Sequence, residues 1–223
     1  MGKVTVQEHT TRNPIQLIGE EAGICYGSDT SSPEKNFKRG MQCIKDGHGR
    51  TMEYPQIYVV IEGYSARFMR ELYTHIAGGP TRLQASTRYI NYGDFDYIIP
   101  KTIEDNKEAL DIYMGVMDDI SEGFAKLQAM NIPKEDIANM LPLGMESKMV
   151  WRTNLRNAVD MSHQRECSRA YWEFRDFMRE FKQALSEYSD EWAILTKELF
   201  KPKCEVCGFC VEKFSCGRKP KKD

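Results

Sequence analysis

The chain has 223 residues, of which 41% are hydrophobic and 29% charged, a composition typical of a folded globular protein. Its 31 basic and 33 acidic residues leave a formal charge of −2, which argues against a protein whose whole surface binds nucleic acid. No apolar run approaches the roughly 20 residues that a membrane span requires, so no membrane partner is expected. Lys3 falls where a secretory signal would be apolar, and we expect a cytoplasmic protein.

The first part of the chain predicts a helix, a strand and a second helix. Residues 33–45 place apolar side chains at helical spacing and end at a glycine-rich turn. Residues 56–62 (QIYVVIE) are rich in β-branched side chains, which favour a strand. Residues 65–75 again show helical spacing, and the breaker Gly78-Gly79-Pro80 follows them, so a helix is expected there.

The rest of the chain is dominated by predicted helices. Alternating apolar residues over 88–99 predict an antiparallel strand pair or one long bent strand. Residues 101–130 carry an apolar stripe typical of an amphipathic helix, and a short helix restarts at Pro133. Two further core helices are predicted over residues 147–161 and 162–188. The predicted fold class is therefore α+β, a mostly antiparallel sheet with long helices packed on it.

A polar loop over residues 81–89 (TRLQASTRY) is the first candidate binding segment. Arg82 and Arg88 offer planar donor forks for phosphate oxygens, and the amide of Gln84 can both donate to and accept from a pyrimidine edge. Ser86 adds a neutral donor. Arginine and serine in a loop are also commonly just solvated, so this segment alone is compatible with both a binding site and a solvated loop.

A second polar set lies on the two late helices. It comprises Arg152, Asn154, Arg156, Asp160, His163, Gln164, Arg165, Glu166, Arg169 and Arg175. Side chains four residues apart share one helix face. The pattern is typical of surface ion pairs, because Glu173 and Asp176 are available as acidic partners. An aromatic-rich helix with several arginines near its polar start can equally line the site of an anionic cofactor.

Six segments are distinctive in order and spacing. They are GHGRTME (47–53), STRY (86–89), FDYIIP (95–100), LPL (141–143), WRTNLR (151–156) and RECSRAYWEFR (165–175). Together they resemble the flavin-dependent thymidylate synthase family over roughly residues 33–190. The family's central motif is an Arg-His-Arg triplet, then seven residues, then Ser-x-Arg-Tyr. The resemblance implies the α+β fold of that family.

Three positions depart from the family pattern. Residues 74–76 read Thr-His-Ile instead of Arg-His-Arg, and nine residues then separate them from Ser86. Ala138 stands where the family usually has a nucleotide-binding arginine, and Asp160 replaces an asparagine that normally meets the flavin. The inserted Gly78-Gly79-Pro80 motivates the hypothesis that Arg82 fills the space of one missing triplet arginine.

The resemblance implies a reaction in which reduced FAD, regenerated by NADPH, drives transfer of the one-carbon unit of methylene-tetrahydrofolate to carbon-5 of dUMP. It also implies a homotetramer whose active sites combine residues of several subunits. Arg165 matches the arginine that holds and polarises the uracil ring and is the expected catalytic residue. Ser86 is expected to donate a hydrogen bond and not to act as a nucleophile, since no base is evident nearby.

The resemblance also implies binding residues. It assigns contacts with dUMP to Glu71, Thr74, Gln84, Ala85, Ser86, Thr87, Arg88 and Arg165. It assigns contacts with FAD to Thr51, His75, Gln84, Asn154, Arg156, Asp160 and Arg169.

A cysteine-rich tail follows the segment that resembles the family. We expect a catalytic domain over residues 1–200 and a basic tail over residues 201–223, which holds seven basic and three acidic residues. Its thiols are Cys204, Cys207, Cys210 and Cys216, and they could hold zinc or an iron–sulfur cluster, or belong to a flexible or oxidisable tail. The scattered Cys25, Cys43 and Cys167 are expected to be small buried residues.

Three other functions stay open at this point. The first is a diverged flavin enzyme that transfers a one-carbon unit to a pyrimidine nucleotide without completing the reduction to methyl. The second is a catalytically inactive relative that binds nucleotide, which the altered triplet at residues 74–76 allows. The third is a zinc-bearing nucleic-acid binding protein built on the tail, against which the near-neutral total charge argues.

Overall fold

The computed structural model describes residues 2–222. The strands are β1 (Lys3–Val6), β2 (Gln56–Ser65), β3 (Thr81–Gln84) and β4 (Glu146–Asn154). The helices are α1 (Pro14–Cys25), α2 (Pro33–Lys45), α3 (Ala66–Leu72), α4 (Lys101–Glu104), α5 (Lys107–Ala129), α6 (Lys134–Ile137), α7 (Leu155–Arg165), α8 (Trp172–Tyr188), α9 (Asp190–Leu199) and α10 (Lys203–Cys207). Short 3₁₀ helices cover Gly49–Glu53 and Ala138–Met140. The four strands form one small antiparallel sheet in the order β1-β2-β4-β3, which confirms the α+β prediction.

The described chain divides into two compact units. The first holds residues 62–73 and 83–149, and the second holds residues 2–61, 74–82 and 150–222. No helix within residues 2–222 is long and apolar enough to cross a membrane.

The core of the first unit is built around α5. Its buried cluster consists of Tyr92, Phe95, Met117, Phe124, Ile137 and Met145. The predicted helix over 101–130 is interrupted, because Asn106 adopts an extended conformation and its side chain accepts a hydrogen bond from the N–H of Ala109. That cap starts α5 afresh, as asparagine commonly does at a helix N-terminus.

The core of the second unit is aromatic. Phe177 and Phe181 on α8 stack with their ring centroids 5.4 Å apart, and Trp151 on β4 meets both rings edge-on or tilted. Phe200 extends the cluster from the end of α9. The predicted apolar face of α8 is confirmed, since Phe174 and both stacked rings are fully buried.

Two predicted elements are wrong, and the helix predicted over residues 162–188 is interrupted by a non-helical turn over residues 166–171 between α7 and α8. Residues 88–99 form no strand; one isolated bridge joins Tyr97 to Met145, because Tyr92 and Phe95 turn into the core instead of pairing along an edge. The first half of the predicted helix over 147–161 is strand β4, whose alternate residues are buried with a period of two. Cys25, expected in the core, is exposed, while Cys43 is buried and Cys167 half-buried.

Helices α1 and α2 approach so closely that only glycine fits at their contact. A Cβ added at Gly19 would lie 1.8 Å from the carbonyl oxygen of Asn36, and one added at Gly40 would lie 2.0 Å from that of Ile15. Both obstacles are backbone atoms that cannot rotate away. This pair also packs against the 3₁₀ helix Gly49–Glu53, which carries residues discussed below.

We expect Gly40→Ala to lower the free energy of unfolding by about 2 kcal/mol or more, because the added methyl group overpacks a backbone contact. Gly115→Ala is the matched control: it lies on α5, where an added Cβ meets nothing within 4 Å. It should raise stability by about 0.5–1 kcal/mol through helix propensity. Urea denaturation measures both, and equal stabilities of the two variants would contradict the close packing of α1 and α2.

Candidate active site

The loop that follows α3 is fixed against the start of α7. Asn154 caps α7, its Oδ1 accepting the N–H of Asn157 at 2.9 Å. The amide of Asn157 donates to Thr153 Oγ1 at 2.8 Å and to the carbonyl of His75 at 3.4 Å. Gly78 has φ +71°, and a Cβ there would lie 2.1 Å from the amide nitrogen of Asn154. The left-handed backbone and the close approach together require glycine.

His75 and Arg165 form the central contact of this region. His75 is 7% exposed, and its Nε2 accepts a hydrogen bond from Arg165 Nε at 2.9 Å. The guanidinium of Arg165 lies over the ring of Phe174, 4.4 Å from the centroid, and its Nη2 donates to Thr74 Oγ1 at 3.4 Å. The imidazole meets the same Phe174 ring edge-on at 5.5 Å. The position of the guanidinium is therefore set by three neighbours.

The imidazole of His75 is neutral at physiological pH. Burial, with a further contribution from the positive charge of Arg165, lowers its pKa from the ordinary value of 6.5 to about 4. A nitrogen that accepts a hydrogen bond carries no proton, so the neutral ring holds its hydrogen on Nδ1. The histidine thus orients Arg165 without adding a second charge.

A polar cleft of about 400 Å³ opens beside this contact. Its lining residues are Thr74, His75, Ile76, Ala77, Asn157, Asp160, His163, Gln164 and Lys203. The lining combines amide, ammonium and hydroxyl donors with one carboxylate and two apolar side chains. Asp160, which stands at the position of a family asparagine, is exposed on this wall.

Arg156 and Glu53 form an exposed ion pair on the same unit. Arg156 Nη1 lies 2.6 Å from Glu53 Oε1. A Cβ added at Gly49 would lie 3.5 Å from the Arg156 guanidinium, so the two residues are neighbours. Thr51, on the same 3₁₀ helix, donates its hydroxyl to the carbonyl of His48 at 2.7 Å. Two expected flavin contacts are therefore neighbours in space, each with a partner inside the protein.

Arg152 holds the loop that leads into β3. Its Nη2 donates to the carbonyl of Gly79 at 2.8 Å and to Thr81 Oγ1 at 3.0 Å, and its Nη1 donates to Gln56 Oε1 at 3.1 Å. These three contacts give the side chain a structural role at the entrance of β3.

The first unit carries the other polar constellation. Gln84 accepts a hydrogen bond from the hydroxyl of Tyr73 at 2.7 Å, and its amide donates to Ser147 Oγ at 3.0 Å. Two partners of opposite polarity fix which way the amide points. Ser86 Oγ accepts the N–H of Arg88 at 3.2 Å, and Arg88 Nε lies 2.8 Å from Glu135 Oε2. Both side chains of this ion pair are mostly exposed.

The expected site residues divide between the two units. Glu71, Gln84, Ala85, Ser86, Thr87 and Arg88 belong to the first, and Thr51, Thr74, His75, Asn154, Arg156, Asp160, Arg165 and Arg169 belong to the second. Within the second unit Thr74, His75 and Arg165 are in direct contact. Arg169 lies instead against Phe214 of the tail, 5.3 Å from its ring centroid.

The sequence patterns do not predict several partners of these residues. They are Phe174 beneath Arg165, Glu53 beside Arg156, Glu135 beside Arg88, and Tyr73 and Ser147 around Gln84. Phe174 lay on the predicted apolar face of α8, where nothing separates a platform for a cation from an ordinary core ring. The acidic partners are too far along the sequence to be inferred from spacing.

The tail thiols form no metal-binding group in the part of the chain that the structure describes. Within residues 2–222 no three His, Cys, Asp or Glu side chains are grouped so that they could hold a metal ion. The zinc and iron–sulfur readings of the tail therefore gain no support from its geometry.

Comparison with known proteins places the chain in a family. Residues 5–189 match the family model described as thymidylate synthase complementing protein. The flavin-dependent thymidylate synthase of Clostridium tetani is 28% identical over 243 residues, covering 97% of this chain and 93% of the relative. That of Nitratidesulfovibrio vulgaris is 29% identical over 190 residues, covering 79% and 74%.

The solved structures agree on the fold. A flavin-dependent thymidylate synthase of Helicobacter pylori, complexed with FAD and dUMP, matches with a TM-score of 0.66 at 18% identity, covering 85% of this chain and 97% of that one. The chain belongs to the thymidylate synthase complementing protein family, an enzyme family of transferases that includes these flavin-dependent thymidylate synthases.

Replacing His75 by asparagine should flatten the dependence of stability on pH. Because the pKa of the folded state is depressed, the stabilisation is fully present above pH 6.5 and is lost as the pH falls towards about 4. We expect the free energy of unfolding of the wild type to decline more steeply over this window than that of His75→Asn, as measured by urea denaturation. His9→Asn, at an exposed position, is the control and should follow the wild type. Parallel curves for the wild type and His75→Asn would show that the imidazole is not held neutral.

Proposed function

We propose that the protein methylates dUMP to dTMP, with FAD as cofactor, methylene-tetrahydrofolate as carbon donor and NADPH as reductant. Family membership supports the reaction class. The observation that carries the proposal on this chain is the guanidinium of Arg165, held by neutral His75 over the ring of Phe174. A fixed cation of this kind stabilises negative charge that develops on a substrate ring.

The residues of the cleft fit a flavin. Its volume of about 400 Å³ lies in the range of roughly 300–1,000 Å³ that is common for cofactor sites. Ile76 and Ala77 provide apolar surface for a ring system, while the amides and Lys203 provide donors for carbonyl and phosphate oxygens. Asp160 can accept from a ring N–H or a hydroxyl group. When bound, the reduced flavin supplies the hydride equivalent, and the chain supplies orientation and charge.

Arg165 is the proposed catalytic residue. His75 orients the guanidinium through Nε, and the guanidinium held in this way is proposed to grip a uracil carbonyl and favour the ionised imide. A protonated His75 would place a second cation beside the guanidinium, and the depressed pKa of the imidazole prevents this at neutral pH.

The proposed dUMP contacts in the first unit have distinct tasks. Gln84 presents an amide whose orientation is already fixed, which suits recognition of a pyrimidine edge. Ser86 uses its oxygen as an acceptor from Arg88 and keeps its O–H to donate. Arg88 is proposed to exchange Glu135 for the phosphate of dUMP. Exposed ion pairs are worth about 0–1 kcal/mol, so this exchange costs little.

We also propose a homotetramer in the cytoplasm. Ile112 and Val116 on α5 are 64% and 50% exposed, and such apolar positions are commonly covered in assemblies. All seven cysteines are free, as suits a reducing compartment.

Residues 1–200 are proposed as the catalytic domain and residues 201–223 as its tail. Replacement of a missing triplet arginine by Arg82 stays a prediction.

The proposal is tested on the purified protein by its visible absorbance and by NADPH oxidation that depends on dUMP. We expect a flavin spectrum, release of tritium from carbon-5 of labelled dUMP, and dTMP as the product. A hydroxymethylated product would favour the diverged one-carbon transferase. A protein that binds dUMP but stays colourless with added FAD would refute the flavin reaction.

We expect Arg165→Ala to slow dTMP formation by about 100-fold or more, because it removes the fixed charge that stabilises the ionised ring. Arg179→Ala is the control: Arg179 is an exposed residue of α8 paired with Asp176. It should retain the activity of the wild type. The assay is tritium release under saturating FAD, with the flavin spectrum as a check on folding. Activity of Arg165→Ala within threefold of the control would remove Arg165 from the catalytic role.

Changes at Arg88 and Glu135 should have opposite effects on the KM for dUMP. Arg88→Ala should raise it about tenfold or more, because a phosphate contact is lost. Glu135→Gln should leave it unchanged or lower it, since the carboxylate competes with the phosphate for the same guanidinium. Initial rates at varied dUMP measure both. A raised KM in both variants would mean that the ion pair itself is needed.

A further inference from the structure

The cysteine-rich tail is docked on the turn that follows α7. Arg169 Nη1 donates to the carbonyl of Phe214 at 3.4 Å, and its guanidinium lies over the Phe214 ring. Arg218 Nη1 donates to the carbonyl of Glu166 at 3.4 Å, and within the tail Arg218 Nε lies 3.6 Å from Glu205 Oε1. These contacts are long or solvent-exposed, so each holds the tail weakly.

A small cavity of about 250 Å³ lies between this turn and the tail. Four thiols line it, those of Cys167, Cys204, Cys210 and Cys216. Three of them lie close together in the sequence of the tail, whereas Cys167 lies far from them in sequence and is brought to the same cavity by the fold. One cavity therefore joins a thiol of the enzyme body to thiols of the tail.

Cys216 is the thiol most suited to react. It is exposed, and it lines the cavity together with Ser168. Hydrogen bonding from the Ser168 side chain and from the backbone N–H of Arg218, together with the positive charge of Arg218, lowers the pKa of Cys216. A thiolate that is both exposed and stabilised is the form that attacks disulfides. Ser168 brings Cys216 to the turn where the neighbouring residue, Cys167, lines the same cavity.

The other tail thiols are less suited to this step. Burial, together with the nearby thiols of Cys210 and Cys167, raises the pKa of Cys204. Cys210 is buried, and Cys207 directs its thiol to the carbonyl of Phe209 at 3.1 Å and does not line the cavity. Among the tail thiols, Cys216 is therefore the one suited to attack, and Cys167 is the thiol of the enzyme body that lines the same cavity.

We propose that Cys216 and Cys167 are a redox modification site, which a small-molecule disulfide of the glutathione type converts to a disulfide that ties the tail to the body beside Arg169. The Cys216 thiolate attacks one sulfur of the oxidant, the S–S bond breaks, and one thiolate leaves. Cys167 then gives up its proton and attacks the sulfur of Cys216, releasing the second thiolate. Two protein thiols lose two electrons, and the oxidant is reduced to two thiols that take up the two protons.

The cross-link has a consequence at Arg169. It fixes Phe214 over the guanidinium, whereas in the reduced protein Phe214 is held there by the ring contact and one long hydrogen bond. Arg169 is a proposed FAD contact, so this consequence rests on the proposed function, while the disulfide itself does not. We expect the oxidised protein to bind FAD several-fold more weakly than the reduced protein.

The test uses the full-length protein, incubated with oxidised or reduced glutathione, alkylated and digested with trypsin without reduction. Cleavage after arginine and lysine separates the thiols into fragments 166–169, 204–213 and 214–218. We expect a species that joins 166–169 to 214–218, formed with oxidised glutathione and lost on reduction. A link between 204–213 and 214–218, or only a glutathione adduct on Cys216, would overturn the proposal.

Matched variants sharpen this test. Cys216→Ser and Cys167→Ser should abolish the linked species, and Cys207→Ser should retain it. Ser168→Ala should slow its formation about threefold or more and move the pH of half-maximal rate upwards, because the bond that stabilises the thiolate is lost. An unchanged rate and pH profile in Ser168→Ala would refute the activation of Cys216.

FAD titration of the two redox forms separates the site from its consequence. The wild type should show weaker FAD binding when oxidised, and Cys216→Ser should show the same affinity under both conditions. Equal affinities in the wild type, with the linked fragments present, would overturn the coupling to FAD. Missing linked fragments would overturn the redox site whether or not the protein binds FAD.

Discussion

The contact between His75 and Arg165 is the interaction on which the candidate site depends. An arginine side chain has donors and no acceptor, so the group that orients it must offer a lone pair. A carboxylate there would neutralise the charge that the proposed reaction needs. A neutral imidazole satisfies Nε without adding a counter-charge, and the face of Phe174 supports the guanidinium without adding one either.

The frame that holds this contact is the junction between β4 and α7. Asn154 ends the strand and caps the helix, and its side chain excludes any residue larger than glycine at position 78. Asn157, one turn later, reaches the backbone of His75. The loop is therefore placed by the helix start, and Arg165 at the other end of α7 meets the histidine that the loop carries. One rigid helix of Leu155–Arg165 thus positions both partners.

Local signals in the sequence predicted what local physics decides. Helix α2 has the predicted bounds, and strand β2 contains the predicted strand, because their periodicity and breakers are strong. The helix predicted over residues 147–161 is wrong where the structure has strand β4, since the alternating burial of that strand depends on which face the sheet covers. The family resemblance supplied His75 and Arg165, but their mutual contact spans 90 residues of sequence and no spacing rule reaches that far. The acidic partners of Arg88 and Arg156 are hidden for the same reason.

The arginines of the candidate site fall into two physical classes. Arg165 is half-buried, and His75 and the ring of Phe174 fix its position. Arg88 and Arg156 are exposed and paired with carboxylates, so their charges are screened until an anion replaces the partner. An exposed pair is weak and exchanges at little cost, whereas a half-buried cation keeps its position through the fold that surrounds it. Because charge stabilisation in a reaction requires fixed geometry and phosphate capture requires exchange, the chain places each kind of arginine where its surroundings provide the property required.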